Sequence, residues 1–274
     1  MIDVIKTERI GFCFGVKRAV SAVMKEAERT KRTIYTLGPL LHNPQVVAEL
    51  EEKGIVSVKN IRDVKSGLVA YRSHGIRKEE EAYVHEQGLE AIDATCPFVK
   101  RVRQRATYLR KQGYTVVIVG DEAHPEVASV LSYLDNDGIV MQTPRPIEAK
   151  KVGVVSQTTQ DIDTLKVVVG SLLDQVGEIR VYNTICESTY WRKREAVELA
   201  KSVGAMLVVG GKSSSNTTKL FEMVKKIQPN SYHIETEAEI KPEWFGGIKT
   251  VGITGGTSTP DQMIERVERL VKTF

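Results

Sequence analysis

No stretch of eighteen consecutive apolar residues occurs in the chain, so no membrane-spanning helix is expected. The N-terminal run MIDVIKTERIGF has no basic stretch leading into a long apolar core, so no secretion signal is read there and a cytoplasmic location is expected. Aromatic residues are few, at 6%, and the net charge is only +4, spread over mixed-sign segments. A nucleic-acid-binding face would need Lys and Arg gathered together; this modest excess fits a small anionic ligand no better than it fits no charged partner at all. There is no CxxC pair, the local ligand pair that most structural zinc sites use. GGKSS has the ending of a phosphate-binding P-loop, but the position of its earlier glycine holds Met206, and no GxGxxG lies near TGGTS. ATP and dinucleotide binding are therefore unsupported.

What is present is a repeat. The 274 residues, 41% apolar and 27% charged, suffice for two or three small domains or one large one. Only three cysteines occur. Cys13 opens CFGVKRAV, Cys96 opens CPFVKRVR and Cys186 opens CESTYWRKREAV. Val, Lys and Arg fall at matching offsets in the first two, and the cysteines divide the chain into three comparable stretches. His42 in LGPLLHNPQVVAEL, His124 in VGDEAHPEVASVL and Ser214 in VGGKSSSNTTKLFEMV follow their cysteines at nearly equal separations. A further polar loop follows in each copy, carrying His74, then Thr158, then Ser258. Recurring offsets of this kind mark a structural repeat.

Short apolar runs at 33–37, 67–71, 115–120, 151–156, 205–210 and 249–254 read as buried parallel strands. Helical patterns follow the loops, for example Val16, Ala19, Val20, Val23, Met24 and Ala27 on one face. Alternation of strand, loop and helix means α/β with parallel sheets. Three small α/β domains are expected, over 14–96, 97–186 and 187–274, with the strand in 1–13 packed on the third. In such sheets ligands bind beyond the C-terminal strand ends, where these loops lie.

Three dispersed thiolates suit a 4Fe–4S cluster that lacks a fourth protein ligand, since Cys₄ is the complete set. The missing ligand leaves a Lewis-acid position open. The plain alternative is three buried thiols acting as small hydrophobes. The loops offer His42, His74, His124, Thr158, Thr159, Ser214, Ser215, Asn216 and Ser258 at or just before helix starts, where free backbone N–H groups and the helix dipole favour an anion. Ser, Thr and Asn there also serve as ordinary N-caps. The run Ser213 to Asn216 holds more cap formers than one helix needs, and histidine is a poor routine cap. His85 and His233 lie in helix-like and strand-like stretches and are read as structural or solvated. Glu126, in HPE, is either a proton carrier or a first-turn acid complementing the dipole.

The ordered set GFCFGVKRA, LLHNPQVV, SHGI, DATCPFV, AHPEV, SQTT, NTIC, SSN and TSTPD resembles that of the 4-hydroxy-3-methylbut-2-enyl diphosphate reductases over essentially the whole chain. The resemblance implies a trefoil of three α/β domains around one 4Fe–4S cluster held by Cys13, Cys96 and Cys186. It implies reductive dehydroxylation of the allylic alcohol diphosphate to isopentenyl and dimethylallyl diphosphates, the last step of the non-mevalonate isoprenoid pathway, with the substrate hydroxyl at the open iron. By the same resemblance His42, His74, His124, Ser214, Ser215, Asn216 and Ser258 match diphosphate contacts. Glu126 matches the proton donor, and Thr158 and Thr159 aid the hydroxyl and proton path. The electron donor is then of ferredoxin or flavodoxin type, with no nucleic-acid or membrane partner.

After Cys186 the family pattern CxATxxRQ is replaced by CESTYWRKREA, with Ser188 for Ala and Lys193 for Gln. Trp191 and Lys193 bear on packing or a partner surface rather than on the ligands. The RNA-binding extension of some relatives is not expected after Phe274. A quinolinate-synthase-like enzyme would also use three cysteines, but the HNP, HPE and SSN loops favour a diphosphate over a dicarboxylate. A non-catalytic iron or oxygen sensor would need only the thiols.

Overall fold

The computed structural model describes residues 2–274. The chain opens with β1 (Asp3–Lys6) and α1 (Phe14–Thr30), then runs through three strand–helix series. The first is β2 (Ile34–Leu37), α2 (Pro44–Glu52), β3 (Ile55–Val58), β4 (Leu68–Tyr71), α3 (Lys78–Glu86) and β5 (Glu90–Asp93). The second is α4 (Pro97–Lys111), β6 (Thr115–Val119), α5 (Pro125–Ser132), β7 (Ile139–Met141), β8 (Lys151–Ser156), α6 (Ile162–Leu173) and β9 (Glu178–Val181). The third is α7 (Glu187–Ala200), β10 (Ala205–Val209), α8 (Ser215–Ile227), β11 (Ser231–Ile234), β12 (Thr250–Gly255) and α9 (Asp261–Val271).

These strands form three four-stranded sheets, ordered β3-β2-β4-β5, β7-β6-β8-β9 and β11-β10-β12-β1. Every pairing within them is parallel. The third series lacks a fourth strand of its own, and β1 occupies that place beside β12, Asp3 opposite Thr250. Each cysteine therefore follows the fourth strand of a sheet: Cys13 after β1, Cys96 after β5, Cys186 after β9. The chain separates into two compact units. One comprises 1–17, 41–49 and 187–274 and contains the sheet of β1, β10, β11 and β12. The other comprises 18–40 and 50–186 and contains the other two sheets.

Sequence explains this layering strand by strand. The central strands β4 (LVAY) and β10 (AMLVV) are apolar and buried on both faces. In β6, Val116 and Ile118 face Val102, Ala106 and Leu109 of α4 and Val127 and Val130 of α5. Val117 and Val119 face the opposite way, onto Leu165, Val168 and Leu172 of α6. The third sheet repeats this, with α7 and α8 over Met206 and Val208 and α9 over Leu207 and Val209. Each fully buried aliphatic side chain of this kind contributes ~1.5–3 kcal/mol. The outer strands β1, β5 and β9 are mostly exposed and carry Asp3, Lys6, Glu90, Asp93, Glu178 and Arg180, charges that discourage further strand addition. On α1, Val16, Ala19, Val23 and Ala27 are buried, and Val20 and Met24 half-buried.

Two glycines at matching strand positions bring a helix close to its sheet. A Cβ on Gly153 in β8 would lie 2.6 Å from a methyl of Leu109 on α4, and one on Gly252 in β12 would meet Leu199 on α7 and the sulfur of Met206. Both helices begin one residue after a cysteine, so this packing sets the depth of a cysteine-bearing helix start. Gly153→Ala is expected to destabilise the protein by ~1–3 kcal/mol, the usual cost of overpacking, and chemical denaturation at constant pH measures it. An unchanged midpoint would mean that Leu109 moves aside freely.

Candidate active site

The three cysteines have the same seat. Each is half-buried, and each backbone N–H donates to a carbonyl in the loop after the third strand in its sheet's order. Cys13 donates to Thr257 after β12 (3.0 Å), Cys96 to Ser73 after β4 (3.0 Å), and Cys186 to Thr158 after β8 (2.8 Å). Each side chain then stands at the start of α1, α4 or α7. A metal-bound thiolate carries negative charge, and the first turn of a helix presents unpaired N–H donors to it. Thiol chemistry, helix-start placement and the repeated anchoring all fit iron–sulfur ligation.

In the unit carrying β10 and β12, His42 lies in the loop between β2 and α2, half-buried. Its carbonyl accepts the hydroxyl of Ser258 (3.2 Å), so two residues from distant loops are tied together. A Cβ on Gly211 would lie 2.5 Å from the same carbonyl, so only glycine lets this loop pass His42 so closely. Asn43, 1% exposed, caps α2 by accepting the N–H of Val46 (3.1 Å). Ser214 is the N-cap of α8 and accepts the N–H of Thr217, the ordinary use of a serine there. Ser215 and Asn216 are left over from that role. Asn216 is buried and donates its amide to the Thr257 hydroxyl (3.3 Å), so the residue whose carbonyl seats Cys13 also orients Asn216.

In the other unit His74 and His124 meet edge to face, with ring centroids 5.4 Å apart. His124 Nδ1 accepts the Glu126 N–H (3.2 Å), so this histidine does cap α5, against the expectation that histidine is a poor cap. With Nδ1 accepting, a neutral ring carries its proton on Nε2, which is then a donor. Glu126 itself is 1% exposed. Its Oε1 accepts the Thr158 N–H (2.7 Å) and its Oε2 the Thr158 hydroxyl (2.6 Å). Burial pushes the Glu126 carboxyl up to about 7, against the two Thr158 hydrogen bonds that pull it down. A carboxyl so placed exchanges protons near neutrality. Thr159 is half-buried and its hydroxyl accepts the side-chain amide of Gln157 (2.9 Å).

Three contributors were not singled out from sequence: Gln157, Thr257 and Ser73. Gln157 is fully buried, and its Oε1 accepts the Asp121 N–H (2.9 Å) while its amide holds Thr159. It therefore fixes the loop leading to His124 as well as the SQTT loop. All three lie inside the quoted motifs, beside the residues that were named. His85 lies exposed on α3, as a solvated residue would, and His233 lies in β11 with its Nε2 bonded to the Gly210 carbonyl (2.9 Å), as a structural residue would.

Among the described residues no helix is long and apolar enough to cross a membrane. The family model described as LytB protein matches residues 4–272. The chain is 48% identical over 270 residues to the protein of Trichlorobacter lovleyi named 4-hydroxy-3-methylbut-2-enyl diphosphate reductase, covering 97% of this chain and 96% of that one. It is 43% identical over 279 residues to the Aquifex aeolicus protein of the same name, covering 99% and 96%. A solved structure of (E)-4-hydroxy-3-methyl-but-2-enyl diphosphate reductase, described as the terminal enzyme of the non-mevalonate pathway, superimposes with TM-score 0.77 at 44% identity, covering all of both chains. The structure of E-1-hydroxy-2-methyl-but-2-enyl-4-diphosphate reductase from Plasmodium falciparum superimposes with TM-score 0.89 at 24% identity over 99% of this chain and 87% of that one, which speaks for the fold alone.

Proposed function

The chain belongs to the LytB family, an oxidoreductase family by the names of its curated relatives, and from that premise we propose that it converts 4-hydroxy-3-methylbut-2-enyl diphosphate to isopentenyl and dimethylallyl diphosphates. The reaction consumes two electrons and two protons, breaks the allylic C–O bond and releases water. A 4Fe–4S cluster on Cys13, Cys96 and Cys186 supplies the electrons and a Lewis-acid position when bound. An external carrier of ferredoxin or flavodoxin type refills it. In this reading each four-stranded sheet is the core of one of three domains, and the protein works in the cytoplasm.

The observation that carries the reading is the position of Thr158. Its carbonyl accepts the Cys186 N–H, and its own N–H and hydroxyl hold both oxygens of Glu126. One residue thus ties a thiolate position to a buried carboxyl that is near half-protonated at neutral pH. Glu126 delivers the proton to the leaving oxygen, and a second proton completes the allyl fragment. His124 presents Nε2–H, and His42, His74, Ser214, Ser215, Asn216 and Ser258 bind the diphosphate. Thr159 holds the hydroxyl end together with Thr158.

Turnover of the diphosphate by anaerobically purified protein with a chemical reductant tests this reading. His42→Ala, His74→Ala and Asn216→Ala are each expected to raise KM by about 10-fold or more, the loss of one hydrogen bond to a charged group, with iron content unchanged. The alcohol lacking its diphosphate should be a poor substrate. Equal use of alcohol and diphosphate would detach these loops from the diphosphate. Absence of turnover with every allylic diphosphate would favour the sensor.

A further inference from the structure

Below the loop that carries His74, the structure contains a positively charged cavity that the proposed reaction does not use. It has a volume of about 430 Å³, and among its lining residues are Lys59, Arg72, Arg77 and Glu80. Its walls come from the ends of β2, β3 and β4 and from the start of α5. In this sheet β2 lies between β3 and β4, so the chain leaves β2 toward one neighbour and returns on the other side. The crevice at the strand ends of such a reversal is where α/β sheets bind ligands. Among the described residues lining the cavity are Gly75 and Pro125, the neighbours of His74 and His124, but not those histidines, Glu126 or Thr158.

Arg72 is the unusual member. Its Nε is buried and has no hydrogen-bond partner, an unfavourable state for a charged donor. Burial holds its guanidinium below the ordinary value; Glu80 opposes the shift and Arg77 adds to it. Glu80 Oε2 accepts the Arg77 backbone N–H (2.9 Å), and Arg72 Nε makes no hydrogen bond to the Glu80 carboxylate. The pocket is also built to keep Arg72 where it is. Gly38, with φ +70°, lies so close that a Cβ would be 2.8 Å from Arg72 Nη1. The opposite wall is fixed by the Ser129 hydroxyl donating to the Ile76 carbonyl (2.8 Å).

We propose that this cavity is a second anion site, for a phosphate or diphosphate group carried by a small molecule. Charge selects the class. Lys59, Arg72 and Arg77 against Glu80 leave an excess of two positive charges. A phosphate dianion or a diphosphate neutralises that excess, whereas a monocarboxylate leaves it half-balanced. The planar guanidinium fork suits phosphate oxygens, and Lys59 and Arg77, both exposed, reach in from the rim. Leu37, Ile76 and Ala128 also line the space and accept an apolar substituent. Because Gly75 and Pro125 adjoin His74 and His124, occupancy bears on the loops of the active site.

Calorimetric titration of the anaerobic holoprotein with inorganic pyrophosphate decides the matter. Two binding events per chain are expected. The double variant Lys59→Gln/Arg77→Gln alters exposed side chains that the reaction does not use. It should weaken one event by at least about tenfold, as loss of charge-assisted bonds implies, with saturated turnover and iron content unchanged. Arg72→Lys keeps the charge but not the fork and should weaken the same event, its circular dichroism matching the parent. His42→Ala should remove only the other event. A single event abolished by the double variant would support this site and remove the anion from the His42 loops. Wild-type stoichiometry and affinity in the double variant would overturn the proposal, as would acetate displacing pyrophosphate at equal concentration.

Discussion

Replacing any one of Cys13, Cys96 or Cys186 by serine is expected to strip most of the iron from the protein and abolish turnover while leaving the fold intact. The parent protein, purified without oxygen, should be brown and hold about four irons per chain, as a cubane cluster requires. Three protein ligands are the minimum that leaves one iron open, so no spare thiolate exists to replace a lost one. The fold should survive because each cysteine is anchored through its backbone: the N–H bonds to Thr257, Ser73 and Thr158 do not involve sulfur. Serine is also a good residue at the start of a helix, so α1, α4 and α7 lose nothing. Iron and sulfide analysis, the visible spectrum and far-ultraviolet circular dichroism measure the three parts of this expectation. A variant that retains full iron would remove that cysteine from the ligand set. Colourless parent protein with stoichiometric zinc would end the cluster reading altogether.

How much of this could be read from residues alone differs between the centre and the edge of each sheet. The six runs read as strands are β2, β4, β6, β8, β10 and β12, the two middle strands of each sheet. Mostly buried, they are largely apolar, and such runs stand out. The outer strands β5 (EAID), β9 (EIRV) and β11 (SYHI) are short and carry charges or polar groups. Nothing in their composition separates them from loops; only pairing with a neighbour defines them. The same contrast holds for the candidate site. Cysteines and histidines are rare enough to be noticed in a repeat, and they stand in the loops that the repeat marks. Gln157 and Thr257 act through one or two hydrogen bonds each, and a buried Gln or Thr looks in sequence like an exposed one. Arg72 shows the same limit, since arginine in a loop is ordinarily solvated and only the burial of its Nε without an acceptor marks it.

Glu126→Gln is expected to lower turnover by at least ~10²-fold, the usual contribution of a positioned general acid, with iron content and substrate affinity within a few-fold of the parent. Glutamine preserves the local structure. Its carbonyl oxygen accepts the Thr158 N–H as Oε1 does, and the Thr158 hydroxyl can turn to accept the new amide, since a hydroxyl serves in either direction. Only the transferable proton is lost. The pH dependence provides a second test. A general acid must be protonated, so parent turnover should fall as pH rises through about 7, and the variant should lack that limb. Stability moves with the same proton. The folded carboxyl is raised from 4.5 to about 7, so between those values the folded state holds a proton that the unfolded state has released. Its contribution is therefore greatest at low pH and is lost as pH rises through that window, by up to ~3 kcal/mol. Glutamine carries no such penalty. The melting temperature of Glu126→Gln relative to the parent should thus increase from pH 5 to pH 8. Reduction of the cluster by the chemical donor is followed separately, so that slow electron entry is not mistaken for lost protonation. Normal turnover in the variant, with the alkaline limb unchanged, would return Glu126 to the role of a first-turn acid on α5 and assign the proton to water.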